Sequence, residues 1–340
     1  MEPELLIRTE GRAGRLTLNR PKALNALTHR ICLQTTEALE GWRDDPTVSL
    51  IILDGAGERA FCSGGDIAQV TAAGKAGDYA MGRDFWRDEY RMNLLLSTYP
   101  KPIVSFLHGF VMGGGVGYGC HIPHRVVGES TQMAMPECGI GMIPDVGGTY
   151  LLGRAPGHLG LYLALTAARM GPGDAIHAGF ANRFLAEAEW DATKAALCET
   201  GDLDALPVRY TPESPMAAEQ SRIDRLFGAA TLPQIIAALE EDDSPLAQSA
   251  LKAIRRNSPL SMACTLAMLR PAPLTLEEAL KQEYRWTWRS MEHGDFIEGV
   301  RAQILDKDRN PTWKHPAPGA VTEAEVAAML APLGTDELTF

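Results

Sequence analysis

What this 340-residue chain lacks narrows its reading before any motif is considered. It has no CxxC pair, and its six cysteines (Cys32, Cys62, Cys120, Cys138, Cys198 and Cys264) are scattered. In a chain of this length that pattern reads as reduced, mostly buried thiols, not as a disulfide framework or a metal knuckle. No apolar run reaches the roughly 20 residues that span a bilayer. There is no internal repeat, heptad seam or low-complexity stretch. Positive charge is short: 32 Lys and Arg face 43 Asp and Glu, for a net charge of −11. That balance argues against nucleic acid or an anionic membrane as partner, while a phosphorylated small ligand would need only a few local cations. The first residues pass directly into strand-like alternation without a signal-peptide pattern, so a cytoplasmic location is expected.

What is present is a soluble globular composition, 45% hydrophobic and 22% charged, in one large or two ordinary domains. Residues 4–18 predict a hairpin with its turn at Gly11 to Gly14. Thr28 predicts the N-cap of a helix with Ile31, Thr35, Ala38, Leu39 and Trp42 on one face. VSLIILDG (48–55) and IVSFLHG (103–109) read as buried strands, with 71–98 between them expected to be helical from the spacing of Phe85, Tyr90, Leu94 and Leu95. RVVGE and TQMAMPE read as short strands, and residues 150–190 as helical. Further on, Ser258-Pro259 and the Thr275/Glu278 capping box start two more helices. In the second of these Leu276, Leu280, Tyr284 and Trp288 fall four apart, and Phe296, Val300 and Ile304 repeat that spacing. Strand, glycine turn, helix and strand in alternation predict an α/β class. The expected organisation is an α/β core over 1–190 carrying the active site and a mainly helical region over 191–340 packing on it.

Two glycine clusters each follow a strand-like run: Gly64-Gly65, closed by Asp66, and Gly113-Gly114-Gly115. Backbone without Cβ can approach a ligand closely. N–H groups from two such loops could converge on one carbonyl oxygen, which stabilises an enolate or a tetrahedral adduct. Glycine clusters are also ordinary turns, so the argument needs Glu137 and Asp145. These lie in an apolar, glycine-rich run, where a carboxylate can serve as base or nucleophile.

The runs RAFCSGGDI, HGFVMGGGVG and MPECGIGMIPDVGG resemble the crotonase (enoyl-CoA hydratase/isomerase) superfamily, and most closely its 3-hydroxyisobutyryl-CoA hydrolase branch. The resemblance starts at LNRPKALNALT (18–28), includes WRDEY (86–90), and reaches the tail EYRWTWRSMEHGDFIEGVRAQILDKDRNPTWKH (283–315), which typical hydratases lack. It implies a crotonase-like ββα spiral core with a C-terminal helical region. It implies an acyl-CoA thioester hydrolase in valine catabolism, with coenzyme A as part of the substrate and no metal or other cofactor. Gly65 and Gly114 match the oxyanion-hole donors, flanked by Gly64 and Gly113. Glu137 matches the catalytic glutamate and Asp145 the additional acid of this branch. Glu89 matches a glutamate that contacts the substrate, at its 3-hydroxyl group. Lys22 is a candidate for a phosphate of coenzyme A. Hydratases carry a second glutamate where this chain has Gly117, and hydration needs carboxylates on both sides of its water.

Other readings stay open at this point. Asp145 could cap the next helix, Glu89 could be a helix-face charge, Asp66 could order its loop, and Lys22 could be an exposed lysine. His108 reads as a core residue; His121, His124 and Cys120 make no metal set; Cys62 and Cys138 lack a matching histidine. Trp286 and Trp288 read as packing residues. An enoyl-CoA hydratase or isomerase on the same fold and a non-catalytic acyl-CoA-binding relative are the alternative functions. Relatives on the fold form homo-oligomers, which an added tail can either permit or block.

Overall fold

The runs read as buried strands are largely apolar, and a strand covered on both faces belongs in a parallel sheet. In the computed structural model, which describes residues 2–207, 211–272 and 275–340, that sheet has six strands. They are β1 (Leu5–Glu10), β2 (Ala13–Leu18), β3 (Leu50–Gly55), β5 (Ile103–Leu107), β7 (His124–Val127) and β9 (Arg183–Phe184), in spatial order β1-β2-β3-β5-β7-β9. Only the β1–β2 hairpin is antiparallel. A second, parallel sheet holds three very short strands, β4 (Ala60–Cys62), β6 (Phe110–Met112) and β8 (Gln132–Ala134), with β6 in the middle. The chain therefore alternates between sheets: β3 then β4, β5 then β6, β7 then β8. The recurrence lies in the backbone and left no repeat in the sequence.

By its internal contacts the chain forms two compact units, each built from non-consecutive segments. The first comprises Met1–Gly65, Asp88–Ala134 and Arg169–Ala217, and contains both sheets. One face of its larger sheet, through Leu50, Ile52, Val104, Phe106 and Val126, packs against Trp190, Leu197 and Cys198 of the helix Trp190–Thr200. Thr28 caps the helix His29–Arg43, accepting the Ile31 N–H at 3.3 Å, and Ile31, Thr35, Leu39 and Trp42 are buried as the spacing predicts.

The second unit comprises Asp66–Arg87, Met135–Ala168 and Ala218–Phe340 and is helical throughout its regular elements. Its helix Pro259–Leu269 starts on Ser258, whose hydroxyl accepts the Ser261 N–H at 3.1 Å. The helix Leu276–His293 starts on the reciprocal Thr275/Glu278 box, with bonds of 3.1 and 2.9 Å.

Three local expectations are corrected. The stretch expected to be helical over 71–98 is two helices, Ala68–Lys75 and Ala80–Thr98. Gly77 stands at φ +82 between them, and the Asp78 carboxylate takes the Ala80 N–H at 3.1 Å, starting the second afresh. Of the stretch expected to be helical over 150–190, the helix expected around Gly173 to Ala178 is present as Pro172–His177, while the part before it is broken into Gly148–Leu152 and Leu159–Thr166, and β9 follows. The four-residue spacing from Phe296 ends at Val300: a wider π-turn over Arg301–Leu305 rotates Ile304 out to 40% exposure.

Candidate active site

The glycine loops both belong to the strand-bearing unit and leave the carboxyl ends of adjacent parallel strands. Gly64 and Gly65 follow β4; Gly113 to Gly115 follow β6. Gly64 sits at φ +110, a conformation side chains rarely adopt. Gly65 pairs with Leu27 of an earlier segment, whose N–H donates to the Gly64 carbonyl at 2.9 Å. Gly114 is the first residue of the buried helix Gly114–Cys120, where an N–H has no partner within the helix. A Cβ on Gly114 would lie 3.2 Å from the Gly65 nitrogen and 2.8 Å from Glu89 Oε1. Two amide groups and one carboxylate thus share a space without side-chain bulk. Glu89 is 2% exposed, which sets aside the solvated helix-face reading. Gly117, in the same helix, is buried and offers no side chain.

The two acids of the MPECGIGMIPDVGG run belong to the helical unit. Glu137 opens a 3₁₀ turn, Glu137–Ile140, and both it and Asp145 are 5% exposed. Burial, then the charge of Asp145, and to a smaller extent that of Glu283, hold the Glu137 carboxyl well above the usual carboxylate range. Its Oε2 has no hydrogen-bond partner among the described residues. A carboxylate kept dry and incompletely satisfied costs free energy that a surface position would not, and groups perturbed in this way concentrate at functional sites.

The C-terminal segment supplies the support behind both acids, which the sequence reading did not assign. Behind Glu137, the Ser258 N–H bonds the Cys138 carbonyl at 2.9 Å, and the Ser258 hydroxyl bonds buried Asp295 at 2.6 Å. Gly141 and Gly299 are small because a Cβ on either would meet backbone, at 2.3 Å from the Asp295 oxygen and 2.1 Å from the Ile140 oxygen. Behind Asp145, Glu283 accepts from the Gly147 N–H at 2.7 Å and from the Thr149 N–H and hydroxyl at 2.9 and 2.5 Å. The helix Gly148–Leu152 thus takes its cap from Glu283, since its own N-cap residue is Gly147. Burial pushes the Glu283 carboxyl up to about 8, against the lowering effect of those bonds. A signal for it was present. Glu283 falls four residues after Ala279 and three after Leu280, on the stripe that buries both, where a glutamate has no place without partners.

The remaining candidates are placed as follows. Asp66 is half-buried in the helical unit, just before the helix Ala68–Lys75, whose N-cap is Ile67; Lys22 is exposed on a 3₁₀ turn of the strand-bearing unit. His108 is a buried core residue whose imidazole burial lowers below its usual value. All six cysteines are free and buried, and burial pushes Cys62 and Cys138 up to about 12, far from a reactive thiolate. Trp286 is fully buried, and Trp288 lies under the Arg83 guanidinium at 4.0 Å. Among the described residues no cluster of His, Cys, Asp and Glu has the make-up of a metal site, and no helix is long and apolar enough to cross a membrane.

A family model described as enoyl-CoA hydratase/isomerase matches residues 13–330. The chain is 40% identical over 349 residues to the mitochondrial 3-hydroxyisobutyryl-CoA hydrolase of Gallus gallus, covering 98% of this chain and 90% of that protein. It is 40% identical over 357 residues to the Homo sapiens protein of the same name, covering 99% and 91%. Among solved structures, an enoyl-CoA hydratase from Rhodobacter sphaeroides 2.4.1 is 56% identical, with a TM-score of 0.97 over 99% of this chain and 100% of that one. A carnitinyl-CoA dehydratase from Mycobacterium thermoresistibile is 45% identical, with a TM-score of 0.95 over 100% and 99%.

Proposed function

This chain belongs to the enoyl-CoA hydratase/isomerase family and has its crotonase fold, and we propose that it hydrolyses the thioester of a short 3-hydroxyacyl-CoA. The substrate is 3-hydroxyisobutyryl-CoA, with 3-hydroxypropionyl-CoA as the related second choice, and the products are the free hydroxy acid and coenzyme A. The N–H groups of Gly65 and Gly114 take the thioester oxygen as it gains charge, which is worth about 10²–10³ in rate per donor. Glu137 either attacks the carbonyl carbon, giving a mixed anhydride that water then opens, or removes a proton from a water that attacks directly. In both routes the C–S bond breaks and the thiolate takes a proton, which Asp145 supplies or relays. Glu89 receives the 3-hydroxyl group, and Lys22 meets a phosphate of coenzyme A. Gly64, Gly113 and Asp66 shape the loops around these contacts. Water is the sole co-reactant. A place in valine breakdown, a cytoplasmic location and assembly of identical subunits complete the proposal.

The observation that carries hydrolysis over hydration is the glycine at 117. Hydration needs a carboxylate on each side of the water it adds; hydrolysis asks only for an oxyanion hole, one nucleophile or base, and a proton for the leaving thiol. Hydratase or isomerase activity is the second reading, favoured by the description of the 56% identical Rhodobacter structure. Thiol release from 3-hydroxyisobutyryl-CoA, acetyl-CoA and crotonyl-CoA separates the two. Rapid release from the hydroxy substrate, lost in Glu137→Gln, is expected. Loss of crotonyl-CoA absorbance without thiol would instead establish hydration. A single turnover in ¹⁸O-water, followed by mass analysis of the peptide holding Glu137, tests the anhydride route: label in the glutamate requires an anhydride opened at the glutamyl carbonyl, whereas label in the product alone fits both direct attack by water and opening at the acyl carbon.

A further inference from the structure

The helix Leu276–His293 turns one carboxylate inward, and it is spent on a turn far away in sequence. Glu283 is fully buried, and its three hydrogen bonds go to Gly147 and Thr149, 136 and 134 residues distant. Those donors bracket the start of the helix Gly148–Leu152, shortly after Asp145. Val146, between Asp145 and Gly147, sits at φ +54, in the left-handed region. A β-branched residue holds that conformation only where its surroundings enforce it. The Asp145 carbonyl closes the same turn by accepting the Gly148 N–H at 2.7 Å. Gly147, the N-cap residue, stands at φ +78 and has no side chain with which to cap this helix itself. Glu137 and Asp145 are the ionisable groups whose charges act on this neighbourhood, together with Glu283 itself.

We propose that Glu283 is a positioning residue for the thioester reaction: it clamps the Asp145–Gly148 turn and so fixes where the Asp145 carboxylate stands. This rests on the reading of Glu137 and Asp145 as the reacting acids. It also gives the C-terminal segment a part in the chemistry. The clamp acts through geometry, since a displacement of about 1 Å in a reacting group can cost on the order of 10² in rate.

The test is a double-mutant cycle in the full chain, read by thiol release. Glu283→Gln keeps an oxygen for Thr149 but turns an NH₂ toward the Gly147 N–H, loosening the turn without emptying the space. Its kcat should fall roughly 10–100-fold while KM changes less than about 3-fold. In an Asp145→Asn background the same change should cost less than about 2-fold, because residues acting through one another are non-additive. Amide exchange over residues 146–152 should quicken. Thr149→Val, which removes one of the three bonds, should show a smaller loss in the same direction and serves if Glu283→Gln does not fold. Unchanged kcat, an equal loss in the Asp145→Asn background, or a loss accounted for by the unfolded fraction would each overturn the proposal. If the wild type hydrates crotonyl-CoA and releases no thiol, the hydrolase reading fails on its own. The cycle, read on hydration, and the amide exchange then still decide the role of Glu283.

Discussion

Replacing Gly114 by alanine separates the oxyanion role from packing, because the two act with opposite signs. Gly114 has no left-handed φ and opens a helix, so alanine suits its backbone and gains at most about 1 kcal/mol of helix preference. The added Cβ would stand 2.8 Å from Glu89 Oε1, the far end of a flexible side chain, and 3.2 Å from the Gly65 nitrogen. Shifts of a few tenths of an ångström relieve both contacts, so folding stability should stay within about 1 kcal/mol of wild type. The methyl group then fills the space in which a carbonyl oxygen must come to about 2.7–3.1 Å from the same amide. Loss of one donor costs about 2.7–4 kcal/mol of transition-state stabilisation, or 10²–10³ in kcat. Gly115→Ala is the internal control. Its Cβ would lie 2.4 Å from the Cys62 carbonyl oxygen, a backbone atom that cannot step aside, and overpacking of that kind costs about 1–3 kcal/mol or more. Thiol release and thermal melting, run on both variants, should show Gly114→Ala folded and nearly inactive and Gly115→Ala destabilised. A Gly114→Ala enzyme within tenfold of wild-type kcat would refute the oxyanion assignment. A melting loss equal to that of Gly115→Ala would show that the glycine serves packing.

Other outcomes follow from the same geometry. Glu89→Gln should weaken kcat/KM for 3-hydroxyisobutyryl-CoA about tenfold or more and leave isobutyryl-CoA, which lacks the hydroxyl, within about twofold; equal losses on both would remove Glu89 from hydroxyl recognition. Glu283 is raised from 4.5 to about 8 by burial, so between those values the folded state binds more protons than the unfolded one, and stability falls as pH rises. The full effect is at most roughly 5 kcal/mol, present below pH 4.5 and lost above pH 8. Melting temperature measured from pH 5.5 to 8.5 should decline, and Glu283→Gln should flatten the decline; a rise across that range in the wild type contradicts it. The six buried cysteines should react with a thiol reagent over hours in the folded protein and at once in denaturant, leaving a flat background for the thiol assay; rapid native labelling would contradict their burial.

The parts of this molecule that were legible in the sequence are those fixed by neighbours in the chain. Thr28, Ser258 and the Thr275/Glu278 box announce helix starts because a cap and its donors lie within three residues. β3 and β5 announce themselves because a short strand buried on both faces draws mostly on apolar residues, its buried exceptions Asp54 and Ser105 each taking hydrogen-bond partners. The glycine loops and Glu137 stood out because their residue types are odd for their surroundings. The break at Gly77 was also local, since a glycine-aspartate pair supplies a left-handed turn and a new cap, but the helical reading of 71–98 rested on Phe85, Tyr90, Leu94 and Leu95, all beyond it. Glu283 was hidden for a different reason. Its partners are backbone N–H groups, identical at every residue, so nothing near Gly147 points back to it. Only its place on a buried stripe gave a hint.

The reach of that clamp also sets an order of events when the chain is made. Gly147 and Glu283 are separated by 136 residues, which at about 5–20 residues per second amounts to roughly 7–27 s of synthesis. For that interval the turn carrying Asp145 has no cap, and Glu137 lacks the Ser258 and Asp295 supports behind it. The acids are thus translated early and completed late: a chain still on the ribosome carries them on an unfinished surface that takes its working shape only as the last helices arrive.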